Sequence, residues 1–229
     1  MKQQLKIQDT FRRSDSEDSI GAIEAAILLK PYLPENQSVL EVGCGYGYFI
    51  DKLFQKHNQV TAIDISDNAI AHCQKFFSGK AKFTKTDINN FNSDTLFDCA
   101  LLVNVLDQIP DDLAALRKIN SLLCSDGILL LVTPITEKRY IQASIHRYAE
   151  EKLIEKVSAA GFRIKKKVIQ GGVLSFFAGR LSKRIYFSKK ILALVRKLPF
   201  YRAIVRLDAK VGLKKDIILL VCEKKAKTL

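Results

Sequence analysis

Residues 39–49 read Val-Leu-Glu-Val-Gly-Cys-Gly-Tyr-Gly-Tyr-Phe, a buried strand that breaks into a glycine loop and then enters a helix. Gly43, Gly45 and Gly47 remove Cβ at alternate positions, where a ligand would lie against the backbone, and they permit φ > 0 in the turn. The spacing also discriminates between ligands. A dinucleotide loop, G-x-G-x-x-G, would place its third glycine at position 48, which is Tyr48 here. Glu41 stands two residues before the first glycine and would repel a pyrophosphate. The loop therefore suits a cationic or zwitterionic nucleoside better than a dinucleotide.

Three further stretches follow in order. Val60-Thr61-Ala62-Ile63-Asp64-Ile65-Ser66 is an apolar run ending in an acid 17 positions after Gly47. An acid at the end of a second strand can accept both ribose hydroxyls, and it can equally help to start the helix expected over 68–77. Residues 81–88 form a short alternating strand ending at Asp87, which also fits an ordinary turn acid before Asn89-Asn90. Residues 97–110 hold a buried strand, Phe97-Asp98-Cys99-Ala100-Leu101-Leu102-Val103, and a loop that opens with Asn104.

Glu41-Val42-Gly43-Cys44-Gly45-Tyr46-Gly47 resembles the first motif of the class I S-adenosylmethionine-dependent methyltransferases, and the later stretches match that family's order. The resemblance implies S-adenosylmethionine as cofactor. It implies a site lined by Glu41, Gly43, Cys44, Gly45, Gly47, Asp64, Ile65, Asp87, Ile88 and Asn104. In the family, the acid matching Asp87 accepts from the adenine amino group, the following N–H (here Ile88) meets a ring nitrogen, and the fourth-strand loop faces the methionine end and the substrate. It also implies a Rossmann-like α/β sheet of seven strands in the order 3-2-1-4-5-7-6, the last antiparallel, with helices on both faces.

Periodicity places the remaining elements. Helices are expected over 20–29 (ended by Pro31 and Pro34), 111–123 (closed by Ser125-Asp126-Gly127) and 149–160 (capped by Gly161). Strands are expected over 127–133, 162–169 and 216–223. All 229 residues then make one domain, with 48% hydrophobic residues to fill its core and a charged segment, 1–19, expected to be mobile. Five scattered cysteines without a C-x-x-C pair argue against a disulfide frame or a metal site and for a reducing, cytoplasmic setting. The polar first residues predict no secretory leader, and no apolar run is long enough to span a bilayer.

Charge is concentrated in one place. The chain carries a net +13, and residues 163–210 hold 14 basic side chains against the single acid Asp208; the other 181 residues balance 23 bases with 23 acids. Residues 170–215, where the minimal fold needs a short connection, thus read as a helical insertion. Phe187, Ile191, Leu194, Val195 and Leu198 fall on one helical stripe, with Lys189, Lys190, Arg196 and Lys197 opposite. After Pro199 the pattern resumes with Phe200, Ile204, Leu207 and Val211 against Arg202, Arg206 and Lys210. Two basic amphipathic helices within 173–211 fit an anionic membrane surface, which would place the protein at the periphery of the inner membrane. The same stripes fit a lid or dimer element packed on the sheet domain, and the cations alone fit a nucleic-acid patch.

Methyl transfer from a sulfonium needs in-line positioning, and a base where the acceptor is a hydroxyl. Of the three histidines, His57 and His72 fall in the helices after the first and second strands, at positions that commonly face solvent. His146, in Ser144-Ile145-His146-Arg147-Tyr148, follows the fifth strand and is the base candidate, although packing at a helix start explains it equally. Gln108 stands where ubiquinone-type relatives often carry a histidine, and the loop Asn104-Val105-Leu106-Asp107 lacks the Asn-Pro-Pro-Tyr of many base N-methyltransferases. The acceptor expected is a small molecule, a hydroxyl of a lipid-linked, glycan or quinone-like intermediate. A tRNA or rRNA methyltransferase and a non-catalytic cofactor-binding subunit are the alternatives.

Overall fold

In the computed structural model, the residues described are 20–135, 145–170, 207 and 216–225. Their elements in chain order are α1 (Ile20–Leu29), β1 (Ser38–Val42), α2 (Ile50–Phe54), β2 (Gln59–Asp64), α3 (Asp67–Phe76), β3 (Lys82–Lys85), β4 (Phe97–Val103), α4 (Asp112–Leu122), β5 (Leu123–Pro134), α5 (Glu150–Ala159), β6 (Phe162–Gln170) and β7 (Ile217–Lys224). The expectations for 1–19 and for the two amphipathic helices, Leu207 apart, lie outside the described residues.

The seven strands make one sheet in the order β3-β2-β1-β4-β5-β7-β6. β1 to β5 run parallel, and β7 is antiparallel to both β5 and β6. The central strands read as apolar runs because both faces are covered. On one face Leu102, Leu116, Ile119, Leu153, Val157 and Phe162 join the sheet to α4 and α5. On the other, Leu29, Ile50, Leu53, Ile70, Cys73 and Leu130 join it to α1, α2 and α3.

The helix caps are local. Ser66 precedes α3 and its hydroxyl accepts from Ala69 N–H at 3.3 Å; Asp111 does the same for α4, accepting from Ala114 N–H at 2.9 Å. Gly161 ends α5 with φ of 90°. Gly127, by contrast, closes no helix. α4 stops at Leu122, and β5 already begins at Leu123, which is fully buried opposite Phe97. The next pair is Cys99 with Ile128, so Cys124 to Gly127 form a bulge in which a Cβ on Gly127 would lie 2.9 Å from Leu123 Cβ. Burial of Leu123 outweighs the helix-stop signal.

His57 also departs from expectation. α2 has only five residues, and His57 lies beyond it with φ of 58°. The turn is held by Asn58, whose Nδ2 donates to Pro34 O at 2.8 Å and Leu53 O at 3.0 Å, and whose Oδ1 accepts from Gln37 N–H at 2.9 Å. His72 is in α3 as expected but is half-buried, stacked 4.4 Å from Phe76 and edge-on to Tyr46 at 5.2 Å.

β6 is the outer strand beside β7. Its exposed Lys165, Lys166 and Lys167 and a register irregularity between Ile164 and Lys166 protect that edge from pairing. Gln170 and Pro134 both pair with Ile217. The 170–215 stretch therefore leaves and re-enters the sheet at its carboxyl edge, beside the end of β5. No helix among the described residues is long and apolar enough to cross a membrane.

Candidate functional site

The carboxyl edge gathers most of the residues singled out by sequence. Gly43 and Cys44 both donate their N–H to Ile63 O, at 2.8 and 3.1 Å, which hooks the glycine loop onto β2. Gly43, Gly45 and Gly47 have φ of 72°, 51° and 82°. The three glycines do not share one role, which corrects the expectation that each clears space for a ligand. A Cβ on Gly45 would meet nothing within 4 Å. A Cβ on Gly43 would collide with the Val105 side chain (Cγ1 at 2.8 Å), and one on Gly47 with the Phe77 ring at 2.6 Å and Cys73 Sγ at 3.2 Å. Gly45 alone faces open space; the other two are spaces already filled by the protein.

Asp64 ends β2 and fastens two loops. Its Oδ2 accepts from Gly45 N–H at 2.8 Å and its Oδ1 from Ser66 N–H at 2.9 Å. Burial raises its carboxyl above the usual range, against the pull of the Ser66, Gly45 and Ile65 N–H groups. Ile65 beside it is half-buried. Cys44 is buried, and its thiol and that of Cys73 both point at Gly45 O, at 3.8 and 3.3 Å. Contact with Cys73, then burial, pushes the Cys44 thiol well up, so it stays protonated.

Glu41 is the unusual member. It is 4% exposed, and its Oε2 has no hydrogen-bond partner among the described residues. Burial, then the fields of Cys73 and Asp64, raise its carboxyl well above the ordinary range, and Lys52 only partly opposes them. A buried carboxylate oxygen left without a donor is costly, and a cation brought beside it would relieve that cost.

Asp87 follows β3, where Oδ1 accepts from Asn89 N–H at 2.9 Å and Asn90 N–H at 3.1 Å, and Oδ2 from Asn90 Nδ2 at 2.5 Å. The turn-acid role is thus present in the structure, with Ile88 buried behind it. Asn104 follows β4 with φ of 55°; its N–H donates to Val132 O at 2.8 Å and its carbonyl accepts from Gln108 Nε2 at 2.7 Å. Gln108 is a tie within the loop.

His146 stands on the other side of that loop. Its Nε2 lies 2.9 Å from Ile109 O and 3.0 Å from Pro110 O. Carbonyls only accept, so Nε2 carries a proton here and Nδ1 is the nitrogen left to take one. His146 also lies 3.8 Å from Asp112, a buried acid that sequence reasoning passed over. With Leu113, Arg147, Tyr148, Lys152 and Lys156, among others, His146 lines an open cleft of about 450 Å³ between α4 and α5. No hydrogen bond among the described residues joins it to Glu41, Asp64 or Asp87.

A family described as Methyltransferase domain matches residues 17–174. Among curated proteins, the chain is 28% identical over 157 residues to malonyl-[acyl-carrier protein] O-methyltransferase of Bacillus cytotoxicus, covering 66% of this chain and 55% of that protein. It is 33% identical over 82 residues to nodulation protein S of Sinorhizobium fredii, covering 35% and 38%. The chain thus spans about half or less of the curated relatives it matches. Among solved structures, N-methyltransferase NodS of Bradyrhizobium japonicum with S-adenosyl-l-homocysteine aligns with a TM-score of 0.66 at 18% identity over 98% of both chains. The Burkholderia thailandensis 1,6-didemethyltoxoflavin-N1-methyltransferase, with its substrate and S-adenosylhomocysteine, aligns with a TM-score of 0.67 at 16% identity over 98% of this chain and 88% of that one. With the strand order of the class I fold and a glycine loop at its carboxyl edge, this chain belongs to the methyltransferase-domain family.

Proposed function

We propose that this chain binds S-adenosylmethionine and transfers its methyl group to a small-molecule acceptor. The observation that carries the reading is the buried Oε2 of Glu41, without a hydrogen-bond partner among the described residues, two residues before a glycine loop in which Gly45 faces open space. The donor set fits a cationic nucleoside. Glu41 offers an anion to its charged half, Asp64 can accept ribose hydroxyls through lone pairs its two backbone donors leave over, and Asp87 with the Ile88 N–H stands at the end of β3 for the base. Cys44, Ile65 and Asn104 complete the wall. When bound, the sulfonium supplies an already electrophilic methyl group, so the chain's own contribution is orientation and exclusion of water. Where the acceptor is a hydroxyl, His146 takes its proton at Nδ1.

The acceptor we favour is a hydroxyl of a lipid-linked, glycan or quinone-like molecule held at an anionic membrane face. Three observations support the membrane: the 14 bases within 163–210, the anchoring of the insertion at the carboxyl edge, and Leu207 of the second apolar stripe, which is 66% exposed. Surface-facing cations each add about 1 kcal/mol to such binding. Flotation with anionic and neutral liposomes, alongside a gel shift with tRNA at two salt concentrations, tests it. Binding to anionic vesicles is expected, with loss in Phe187→Asp and Leu194→Asp while every lysine remains. Retained binding in both variants would leave electrostatics alone, and a tRNA shift indifferent to them would favour the nucleic-acid reading.

A further inference from the structure

The cluster around Asp112 has no place in the cofactor wall, yet it gathers a lysine, a tyrosine and a histidine about one buried acid. Asp112 is 3% exposed at the start of α4. Lys156 of α5 reaches its two oxygens at 2.6 and 2.5 Å, the Tyr148 hydroxyl donates to Oδ2 at 2.6 Å, and His146 lies 3.8 Å away. Burial would raise this carboxyl, but the Lys156 and Tyr148 hydrogen bonds, with the fields of His146 and Lys156, bring it below the usual range, so it is ionised. Two of the groups it collects, Tyr148 and His146, then grip the loop after β4. Ile145 N–H and His146 N–H donate to Asp107 O at 2.8 and 3.0 Å, the His146 ring holds the Ile109 and Pro110 carbonyls, and Leu106 O lies 3.3 Å from the Tyr148 hydroxyl. The far end of that loop is Asn104-Val105, and the Val105 methyls fill the space that a side chain on Gly43 would need.

We propose that Asp112 is a positioning residue for methyl transfer: paired with Lys156, it holds Tyr148 and His146 against residues 105–111, seats Val105 against Gly43 and fixes the glycine loop from behind. Asp112 touches no reacting atom and acts through Val105. A packed loop held at both ends transmits a shift because close-packed interiors do not deform gradually. The inference rests on reading residues 43–47 as the cofactor loop.

Two measurements on the full chain test it, with Leu153→Ala as a control that removes buried apolar packing from α5 and none of the hydrogen bonds around Asp112. Asp112→Asn is expected to weaken S-adenosylhomocysteine binding tenfold or more by calorimetry and to speed amide exchange in residues 43–47. Leu153→Ala, with an equal or larger fall in Tm, is expected to leave both within twofold. Should Asp112→Asn fail to fold, Tyr148→Phe and Lys156→Met carry the same expectation. Equal effects in control and cluster variants, or exchange at 43–47 unchanged in Asp112→Asn, would overturn the proposal. Wild-type protein that binds no S-adenosylhomocysteine would sink the cofactor reading, and the exchange measurement would still decide whether Asp112 seats the loop.

Discussion

The Gly45 N–H donates to Asp64 Oδ2 at 2.8 Å, so the open-faced glycine of the loop is tied to the acid that ends the second strand. The bond fixes the one glycine of the three at which an added Cβ would meet no atom within 4 Å, and it makes the two residues act as one element.

Asp64→Ala should leave the protein folded and weaken S-adenosylmethionine binding by about 2 kcal/mol or more, since a charge-assisted contact and the staple on Gly45 are lost together. Calorimetry showing wild-type affinity in this variant would remove Asp64 from the site.

The glycines should separate by mechanism. Gly47→Ala must displace the Phe77 ring and adopt φ near 82°, so a stability loss of roughly 2–4 kcal/mol is expected in urea denaturation. Gly45→Ala meets no atom and carries only the cost of its φ, about 1–2 kcal/mol, but should lose cofactor affinity out of proportion to that cost. Equal stability losses at the two positions would contradict this division.

Two acids should give opposite pH signatures. The N–H and hydroxyl of Ser38 hold the Asp98 carboxyl below its ordinary value; burial opposes them only in part, and Cys124 adds a smaller pull in the same direction as Ser38. Its contribution is therefore complete above the unfolded value of about 3.9 and is lost as pH falls through the folded one. Glu41, raised by burial, does the reverse: its contribution is complete below about 4.3 and is lost as pH rises through the folded value. Glu41→Gln should accordingly raise the denaturation free energy at pH 7 by about 1–3 kcal/mol while weakening cofactor binding. Asp98→Asn should flatten the acid limb of the stability curve. A Glu41→Gln protein less stable than wild type at pH 7 would refute the assignment of Glu41 as an uncompensated buried charge.

For a hydroxyl acceptor, His146→Ala should cut turnover roughly a hundredfold with cofactor affinity reduced far less. Because the ring also holds the Ile109 and Pro110 carbonyls, His146→Gln is the informative partner: its amide can donate to those carbonyls but cannot take a proton at neutral pH. Equal activity in His146→Gln and wild type would leave the residue a structural one.

Much of this protein is decided locally, and that part was legible in the chain. The apolar runs of β1, β4 and β5 and Gly161 after α5 depend on neighbours a few residues away, so periodicity and capping chemistry are enough to place them. The glycine loop and Asp64 were legible for the same reason, a strand end meeting a turn. Contacts between distant segments were not. Gly43 and Gly47 look like Gly45 in sequence, but Val105 and Phe77, far along the chain, fill their spaces. Gly127 carries a helix-stop signal that burial of Leu123 overrides. Asp111 and Asp112 are identical neighbours, yet α4 turns one out as a cap and the other in toward Lys156 and Tyr148, more than thirty residues away. The sheet order, too, decides that β6 ends and β7 begins beside the end of β5, because pairing of Ile217 with both Pro134 and Gln170 is a tertiary fact that no local pattern encodes.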